Sequence, residues 1–534
     1  MEPACTYLPY ERTGYFSRLV TDYLAAQDDL KPFYTFSPDK EGILDAVRQR
    51  QGFPVDRALL ADVLQSQYRN LARHERVDRN LALLANENTY TVCTAHQPNL
   101  LTGYLYFIYK ILHAIKLAED LQAECPGKNF VPVYYMGSED NDLAELGTFR
   151  YEGRRFVWDG AGQAGAVGRM KPEGLEALLA ELFRIMGPPG EHFTELKNIL
   201  TQAYLHHDTI ASATQYLVNE LFGRFGLIVL NPDDRRLKAA FAPVMKDDVL
   251  HHSAYGIVSA EVQKLEANYR SQAYPRPINL FYLADNTRER IEKSGDKWVV
   301  LNTAISFTEQ QLLQAIDETP EMFSPNVILR GLYQETILPN VAFIGGGAEV
   351  AYWMQLRGLF SHYGVFYPAI QLRQSVLWVP GSAVRLRRQL GLTTADVFLP
   401  EAQLVKKYMA TQATAPWQTD AESAEMEAIL HRLRQKAAAV DPTLAASAGA
   451  AFARIQHQLQ VLEKKMLRAE KRKMEVQLAR ISRLRAALFP GGTLQERVDN
   501  FAAYYLQQGP AFLNVLKEAI RPFHPAFLVL EEEG

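Results

Sequence analysis

The sequence predicts an α/β protein with a parallel-sheet core and a C-terminal α-helical domain. Short apolar segments that are typical of buried strands alternate with stretches of helical periodicity over most of the chain. The composition is that of a globular protein, with 48% hydrophobic and 22% charged residues. A chain of 534 residues is long enough for one large core with appendages.

Residues 90–135 contain the clearest unit of this core. Tyr90–Thr94 is β-rich, and Pro98 makes a long continuation unfavourable, because proline cannot donate to a central ladder. Phe130–Tyr135 is a second apolar strand. The residues between the two strands are predicted to form a helix. Its one apolar face comprises Ile108, Ile111, Leu112, Ile115 and Ala118. The order strand, helix, strand favours a parallel, right-handed βαβ unit.

The same pattern recurs further along the chain. Gly226–Leu230 is an apolar strand that ends at a polar loop, and Val341–Ile344 is another, followed by three glycines and a helix from Ala348. Val365–Tyr367 is predicted as one more strand. Residues 147–220 and 240–330 look like insertions between core strands, and the second contains a strand at Pro277–Tyr282. We therefore expect the core to occupy residues 81–380.

Helical segments are expected on both sides of the core. Residues 1–80 show helical spacing and form the N-terminal helical part of the core, and residues 381–534 form the C-terminal domain. A heptad seam there consists of Phe452, Ile455, Leu459, Leu462, Met466 and Ala469. The next apolar residues, from Met474 onwards, fall one residue out of phase. We therefore predict a coiled coil near 421–488, with a stutter and an end at Phe489–Gly492.

Composition excludes several classes of protein. The formal charge of −4 gives no general attraction to nucleic acid or acidic membranes, and three cysteines exclude a disulfide scaffold. No run of about 18 apolar residues and no signal peptide is present, so we expect a cytoplasmic protein without a membrane partner. Adjacent pairs such as His206 and His207 point about 100° apart on a helix, so we predict no metal site from them.

Two polar loops follow the strands of the first βαβ unit, where ligands bind in open parallel sheets. The first loop and the helix after it offer Thr94, His96, Gln97, Asn99, Gly103 and Lys110. The second loop offers Ser138, Glu139, Asp140, Asn141 and Asp142. His96 could bind an anion or exchange a proton, and the carboxylates could hold an ammonium or a magnesium ion. The alternative is that the acidic residues cap helices and that His96 lies in an ordinary turn.

Two further features could bind anions. Gly345, Gly346 and Gly347, followed by Glu349, lie between a strand and a helix, where backbone N–H groups can approach an anion. They form neither a complete dinucleotide fingerprint nor a Walker A loop, and a tight turn with Glu349 complementing the helix dipole is the alternative. Arg330 could clamp a carboxylate, or form an ordinary ion pair.

Several sequence motifs, in order, resemble those of the BshC family, which adds cysteine in bacillithiol biosynthesis. They are TAHQPNLLTGYLYFIYK at 94–110, PVYYMGSEDND at 132–142, SPNVILR at 324–330, LPNVAFIGGGAEVAYWMQL at 338–356 and LFPGGTLQER at 488–497. The resemblance covers nearly the whole chain. It implies a Rossmann-type core with two inserted connecting segments and a C-terminal coiled coil that forms homodimers.

The resemblance also implies a reaction, in which the carboxyl group of cysteine is joined to the amine of glucosaminyl malate. It leaves ATP or ADP with magnesium open as cofactors. On this basis His96, Glu139 and Asp140 are the expected catalytic residues, and the other residues of the two loops, with Arg330, Glu349 and the three glycines, are expected to bind substrate. The alternatives are a nucleotidyltransferase-like enzyme acting on another small substrate and a non-catalytic dimeric binding protein.

Overall fold

A five-stranded parallel sheet lies at the centre of the structure, a computed structural model that describes residues 3–412 and 419–534. Residues 413–418 of the predicted C-terminal domain therefore lie outside the described part. The strands of the described chain are β1 (Ala4–Leu8), β2 (Thr89–His96), β3 (Asn129–Met136), β4 (Thr148–Tyr151), β5 (Arg154–Val157), β6 (Ile228–Leu230), β7 (Leu280–Ala284), β8 (Thr287–Ser294), β9 (Lys297–Val300), β10 (Ser306–Phe307), β11 (Phe323–Pro325), β12 (Asn340–Gly345), β13 (Ala369–Leu372), β14 (Val376–Val379) and β15 (Phe527–Glu531).

Helices surround this sheet and form most of the C-terminal part. In the described residues they are α1 (Arg18–Leu24), α2 (Lys40–Gln49), α3 (Arg57–Gln67), α4 (Glu75–Leu83), α5 (Leu105–Glu124), α6 (Leu143–Leu146), α7 (Leu175–Ile185), α8 (Glu191–Leu205), α9 (Ile210–Phe222), α10 (Arg235–His251), α11 (Ser253–Leu265), α12 (Glu309–Glu318), α13 (Val327–Ile337), α14 (Gly347–Met354), α15 (Arg357–Tyr363), α16 (Gly381–Gln389), α17 (Glu401–Gln412), α18 (Asp420–Val440), α19 (Leu444–Lys473), α20 (Glu475–Leu488), α21 (Phe501–Gln508) and α22 (Ala511–Ala519).

The central sheet has the strand order β6-β3-β2-β12-β13, and all neighbours are parallel. This is the doubly wound order, in which the strands up to β6 are added on one side of β2, and those from β12 onwards are added on its other side. Every residue of β12 is buried, as expected for a strand covered on both faces. Each fully buried Ile or Leu here contributes about 1.5–3 kcal/mol of hydrophobic stabilisation. The predicted adjacency of the two strands of the first βαβ unit is confirmed, because β2 and β3 pair in parallel over their whole length.

Both expected insertions carry secondary structure of their own. The first follows β3 and contains the hairpin β4–β5 and helices α7 to α9. The second follows β6 and contains α10 to α12 and an antiparallel five-stranded sheet of order β10-β9-β8-β7-β11. The strand predicted at Pro277–Tyr282 is present but begins later, at Leu280.

A third sheet joins the two ends of the chain. Strand β15 pairs antiparallel with β1 on one side and parallel with β14 on the other. Sequence analysis assigned residues 1–80 to helices and missed β1, which is only five residues long and partly exposed. Because β14 follows β13 after three residues, this sheet lies directly beside the last strand of the core.

The C-terminal helices form an extended arm. Helices α18 and α19 pack against each other as a helical hairpin, joined by Asp441–Thr443. The predicted change of phase falls where α19 ends, since Met474 has φ −110° and ψ 17° and separates α19 from α20. The predicted stop at Phe489–Gly492 is also observed, because α20 ends at Leu488. Among the helices of the described residues, none is both long and apolar enough to cross a bilayer.

Two strand boundaries differ from the predictions. Strand β2 continues through Ala95 to His96 despite the nearby proline, because Pro98 lies two residues beyond its end. The strand predicted at Val365–Tyr367 is wrong: these residues are not in a strand, and β13 begins at Ala369, after Pro368. The apolar sequence continues on both sides of this proline, so hydrophobicity alone does not place the strand.

Candidate active site

A buried ion pair lies beside the carboxyl ends of β2 and β12, the two neighbouring strands between which the strand order of the sheet reverses. Lys110, on α5, contacts Glu349, on α14, and donates a hydrogen bond of 2.9 Å to the carbonyl oxygen of Ala95. The side chain of Lys110 is only 4% exposed, and burial lowers its pKa, although Glu349 opposes this effect. In doubly wound folds, ligands bind in the crevice at this point of the sheet.

The glycine turn after β12 is already capped by its own chain. The Glu349 carboxylate accepts a hydrogen bond of 2.8 Å from the N–H of Gly346, so a negative charge already occupies the start of α14. A Cβ atom at Gly345 would lie 2.9 Å from the ring of Phe343, and one at Gly347 would lie 3.2 Å from Val20. Close packing therefore accounts for these two glycines, and the anion-binding role of the turn stays a prediction.

His96, the last residue of β2, lies beside this ion pair. Its ring packs against those of Tyr106 and Phe107, at centroid distances of 5.4 and 5.3 Å. Burial, together with the positive charges of Lys110, Arg330 and Arg373, lowers the pKa of His96 well below its ordinary value. The imidazole is therefore neutral at pH 7. Its Nε2 atom is shielded from solvent and has no hydrogen-bond partner in the described residues, which makes it available to a ligand.

Asp140 is the carboxylate of the second loop that faces the first loop. It accepts a hydrogen bond of 3.2 Å from the side-chain amide of Gln97 and lies 4.0 Å from the guanidinium of Arg330. Burial raises the pKa of Asp140, but Arg330 and Arg288 lower it more, so that the net pKa is below the ordinary value. Asp140 and Gln97 therefore lie close together, as expected if the two loops face each other. Arg330 lies beside them, and the carboxylate is ionised at neutral pH.

The other residues of the second loop have partners of their own. Asp142 caps α6 by accepting a hydrogen bond from the N–H of Glu145, Ser138 donates one of 2.6 Å to Asn231, and Asn141 accepts one of 3.1 Å from Arg288. The substrate-binding roles of these residues stay predictions. For Asp142, the helix cap is the alternative to substrate binding that was given above for the acidic residues.

Glu139 belongs to a buried network of charges below the crevice. It contacts Lys238, on α10, which also lies 3.1 Å from Asp233, and Asp233 in turn receives two hydrogen bonds of 2.7 Å from Arg169. Burial raises the pKa of Glu139, against the effect of Lys238. For Asp233, Lys238 and Arg169 outweigh burial and lower the pKa to about 2. The network joins both insertions to the core and gives Glu139 a charged partner, and the catalytic role of Glu139 stays a prediction.

The first loop has an unusual backbone and unsatisfied polar atoms. Leu101 and Thr102 both have positive φ, 47° and 65°, a conformation that costs energy for residues other than glycine. Neither polar atom of the buried Asn99 side chain has a partner in the described residues, nor has the Thr102 hydroxyl. A Cβ atom at Gly103 would lie 3.0 Å from that of Asn99. By contrast, Thr94 donates a hydrogen bond of 2.9 Å to the carbonyl of Ile344 and holds β2 to β12.

Sequence analysis missed one central residue, Arg373. It follows β13, its N–H donates to the carbonyl of Gly345 at 2.7 Å, and its guanidinium lies 5.4 Å from the ring centroid of Tyr106. Two hydrogen bonds of 2.8 and 2.6 Å bind it to Glu496, from the motif at 488–497 that had no assigned role. An arginine directly after a strand could have indicated this residue from the sequence, but the strand was predicted too early in the chain.

In the described residues, no three His, Cys, Asp or Glu side chains are grouped so that they could hold a metal ion.

The doubly wound sheet, with charged side chains where its strand order reverses and with a C-terminal helical arm, defines a Rossmann-like α/β protein. Residues 3–374 match the family Bacillithiol biosynthesis BshC, N-terminal Rossmann-like domain, and residues 376–532 match Bacillithiol biosynthesis BshC, C-terminal coiled-coil domain. The chain belongs to the BshC family.

Curated relatives agree with this assignment over nearly the whole chain. A protein of Flavobacterium johnsoniae named "Putative cysteine ligase BshC" is 37% identical, over 98% of this chain and 99% of its own. A protein of the same name from Salinibacter ruber is 32% identical over 97% of both chains. A third, from Bacillus cereus strain G9842, is 28% identical over 94% of this chain and 95% of its own.

Proposed function

We propose that this protein is a ligase that joins the carboxyl group of cysteine to the amine of glucosaminyl malate, the last step in the synthesis of bacillithiol or a related thiol. One observation carries the proposal beyond family membership. The positive charges of Lys110, Arg330 and Arg373 act on the neutral imidazole of His96, and Arg330 also lies 4.0 Å from the ionised carboxylate of Asp140, at the point where Rossmann-like sheets bind ligands. Such a site can hold carboxylates, an ammonium and an uncharged amine together.

The chemistry sets what the site has to do. A carboxylate does not react with an amine until it carries a leaving group, so the carboxyl group of cysteine must first be activated, for example by ATP. The carbonyl carbon then forms a bond to the amine nitrogen, its bond to the leaving group breaks, and the nitrogen gives up a proton. Cationic side chains stabilise the negative charge that develops on the carbonyl oxygen and the leaving group. We assign this role to Lys110 and Arg330.

Asp140 and His96 are proposed to hold the two nitrogen atoms. Asp140, which is ionised and partly exposed, binds the ammonium of cysteine. His96 accepts a hydrogen bond from the attacking amine through Nε2. Its lowered pKa makes it a weak base, and a weak base is poorly suited to remove a proton from an ammonium group. We therefore infer that His96 orients the neutral amine and does not itself deprotonate the ammonium form.

Two substitutions distinguish these roles for His96. We expect His96→Ala to lower kcat about tenfold, because the loss of one hydrogen bond of about 1.4 kcal/mol corresponds to a factor of ten. His96→Gln keeps a hydrogen-bonding group, so its kcat should fall less than about threefold. Steady-state product formation at pH 7.5 measures both variants. His206→Ala, at an exposed histidine, serves as the control. Equal losses of several hundredfold in both variants would show instead that the imidazole transfers a proton.

The reaction itself is tested by a product assay. Purified protein is mixed with cysteine and glucosaminyl malate, with and without ATP and magnesium, and the mixture is analysed by mass spectrometry. We expect a cysteinyl-glucosaminyl-malate mass, and its dependence on ATP identifies the activation route. If folded protein releases pyrophosphate and yields no thiol product, the nucleotidyltransferase alternative is correct. If there is no product and calorimetry detects no binding of nucleotide, cysteine or glucosaminyl malate, the binding-protein alternative is favoured.

We further propose that the helical arm forms a homodimer. Its hairpin exposes several large apolar side chains, among them Ile429, Leu433, Ile455 and Leu462, which are 47, 52, 38 and 51% exposed. Ile455 and Leu462 belong to the heptad seam, the part of a helix that packs against a partner helix. Sedimentation should give the mass of two chains for the wild type and of one chain for Ile455→Lys/Leu462→Lys.

We also propose that the reaction takes place in the cytoplasm, because cysteine and its products stay reduced there.

A further inference from the structure

A cleft between the two insertions opens next to the candidate active site. It has a volume of about 440 Å³ and is lined from one side by the loop before α7 and from the other by β8 and the turns of the second insertion. The insertions touch at its base, where a Cβ atom at Gly165 would lie 2.7 Å from the backbone nitrogen of Thr287. Its volume lies within the range of about 300–1,000 Å³ that is typical of small-molecule sites.

The cleft is continuous with the loop that carries Asp140. The next residue, Asn141, lines the cleft, and Arg288, which influences the pKa of Asp140, lines it as well. The carbonyl of Asp140 also accepts a hydrogen bond of 2.8 Å from Val167, in the first insertion. A substrate bound at Asp140 can therefore extend into the cleft.

The lining is polar and nearly neutral. Among its described residues only Arg288 and Glu289 are charged, and each is engaged by an amide: Arg288 donates to Asn141 and Asn302 donates to Glu289, both at 3.1 Å. Asn286 accepts a hydrogen bond of 3.4 Å from the N–H of Ala164. Each of these three asparagines thus uses one end of its amide and, within the described chain, leaves the other end without a partner.

We propose that this cleft binds the sugar ring of the amine substrate, a neutral polyhydroxylated hexose unit, through the free amide ends of Asn141, Asn286 and Asn302. Amide groups that are oriented by one fixed hydrogen bond can donate to or accept from hydroxyl groups without further ordering. Lys110 and Arg330 in the crevice bind the anionic groups of the substrate, whereas the cleft supplies neutral amide groups for its hydroxyl groups. This inference rests on the proposed ligase function.

Two substitutions remove the amides without straining the backbone. Asn286 and Asn302 have positive φ, 54° and 60°, which glycine adopts freely. We expect the double variant Asn286→Gly/Asn302→Gly to raise KM for glucosaminyl malate about tenfold, with KM for cysteine changed less than about twofold. The matched control is Glu152→Gly, which has φ 47° in the turn of the β4–β5 hairpin, outside the cleft, and should change neither constant.

A binding measurement separates this inference from the ligase proposal. Calorimetry with methyl glucosaminide and with malate, used as separate probes, should show weaker binding of the sugar to the double variant and unchanged binding of malate. If the wild type makes product but the double variant keeps the wild-type KM and sugar affinity, the cleft is not the sugar site. An equal rise in both KM values would also overturn the inference. A wild type that neither makes product nor binds either probe would overturn the ligase proposal together with it.

Discussion

Replacing Arg373 by methionine should lower the free energy of unfolding by about 3–5 kcal/mol, because it leaves the carboxylate of Glu496 buried without its partner. Arg373 and Glu496 are joined by two hydrogen bonds, and their side chains are 4% and 0% exposed. The remaining donors to Glu496, the hydroxyl of Ser375 at 3.2 Å and the N–H of Val376 at 3.3 Å, are neutral. Urea titration followed by tryptophan fluorescence measures the effect.

Two further variants test the physical cause of this loss. Arg373→Met/Glu496→Gln removes the unpaired charge, and it should recover at least half of the lost stability, since a neutral pair tolerates burial better than a lone ion. Arg48→Met breaks an exposed ion pair with Asp45, whose side chains are 59 and 51% exposed, and should cost less than about 1 kcal/mol. A loss of that small size for Arg373→Met would show that the pair does not hold the C-terminal domain to the core.

Asp140→Asn is expected to lower kcat/KM for cysteine by about 10²–10³-fold, which corresponds to the loss of a charge-assisted contact of about 3–4 kcal/mol. The asparagine can still accept the hydrogen bond from Gln97, so the change removes charge and little else. Because the pKa of Asp140 lies below its ordinary value, the carboxylate stays ionised from pH 5 to 8. The ratio of wild-type to variant activity should therefore be the same at pH 6 and pH 8.

A truncated substrate identifies which contact is lost. 3-Mercaptopropionate lacks the ammonium of cysteine, so wild type and Asp140→Asn should use it equally slowly. KM for glucosaminyl malate should change less than about threefold in the variant, and Asp56→Asn, which alters a remote cap of α3, serves as the control. If Asp140→Asn slows 3-mercaptopropionate as much as cysteine, the carboxylate acts on some other group of the reaction.

Local sequence was sufficient for much of the core. The apolar runs that become β2, β3, β6 and β12 are bounded by Asn, Pro or Gly, so both their positions and the loops after them could be predicted. Asp140 was identified because it lies in the loop directly after β3, and Lys110 because it lies on the helix that follows the loop after β2. The break at Met474 was visible as a change of phase in the apolar pattern.

What sequence could not supply was the pairing of distant residues. Glu349 was predicted to bind substrate, with the capping of its own helix as the alternative. The cap is observed, but the ion pair of Glu349 with Lys110 depends on β2 and β12 being neighbours. Glu139 is bound by Lys238 from an insertion helix, which no local pattern indicates. Arg373 was missed because Pro368 divides an apolar run, and its partner Glu496 is far away in sequence. The ion pairs of Glu349, Glu139 and Arg373 are all contacts between segments that are distant in the sequence.

The sheet of β1, β14 and β15 sets an order on the folding of this chain during synthesis. Among the described residues β1 pairs with β15, and all five strands of the parallel sheet lie between these two strands in the sequence. Strand β1 therefore cannot pair until β15 has been synthesised, and this pairing closes a very long loop. Strand β14, which starts three residues after Arg373, also pairs with β15, so this late pairing lies close to the candidate active site. A chain truncated before β15 would retain the five strands of its parallel sheet and leave β1 and β14 without their shared partner.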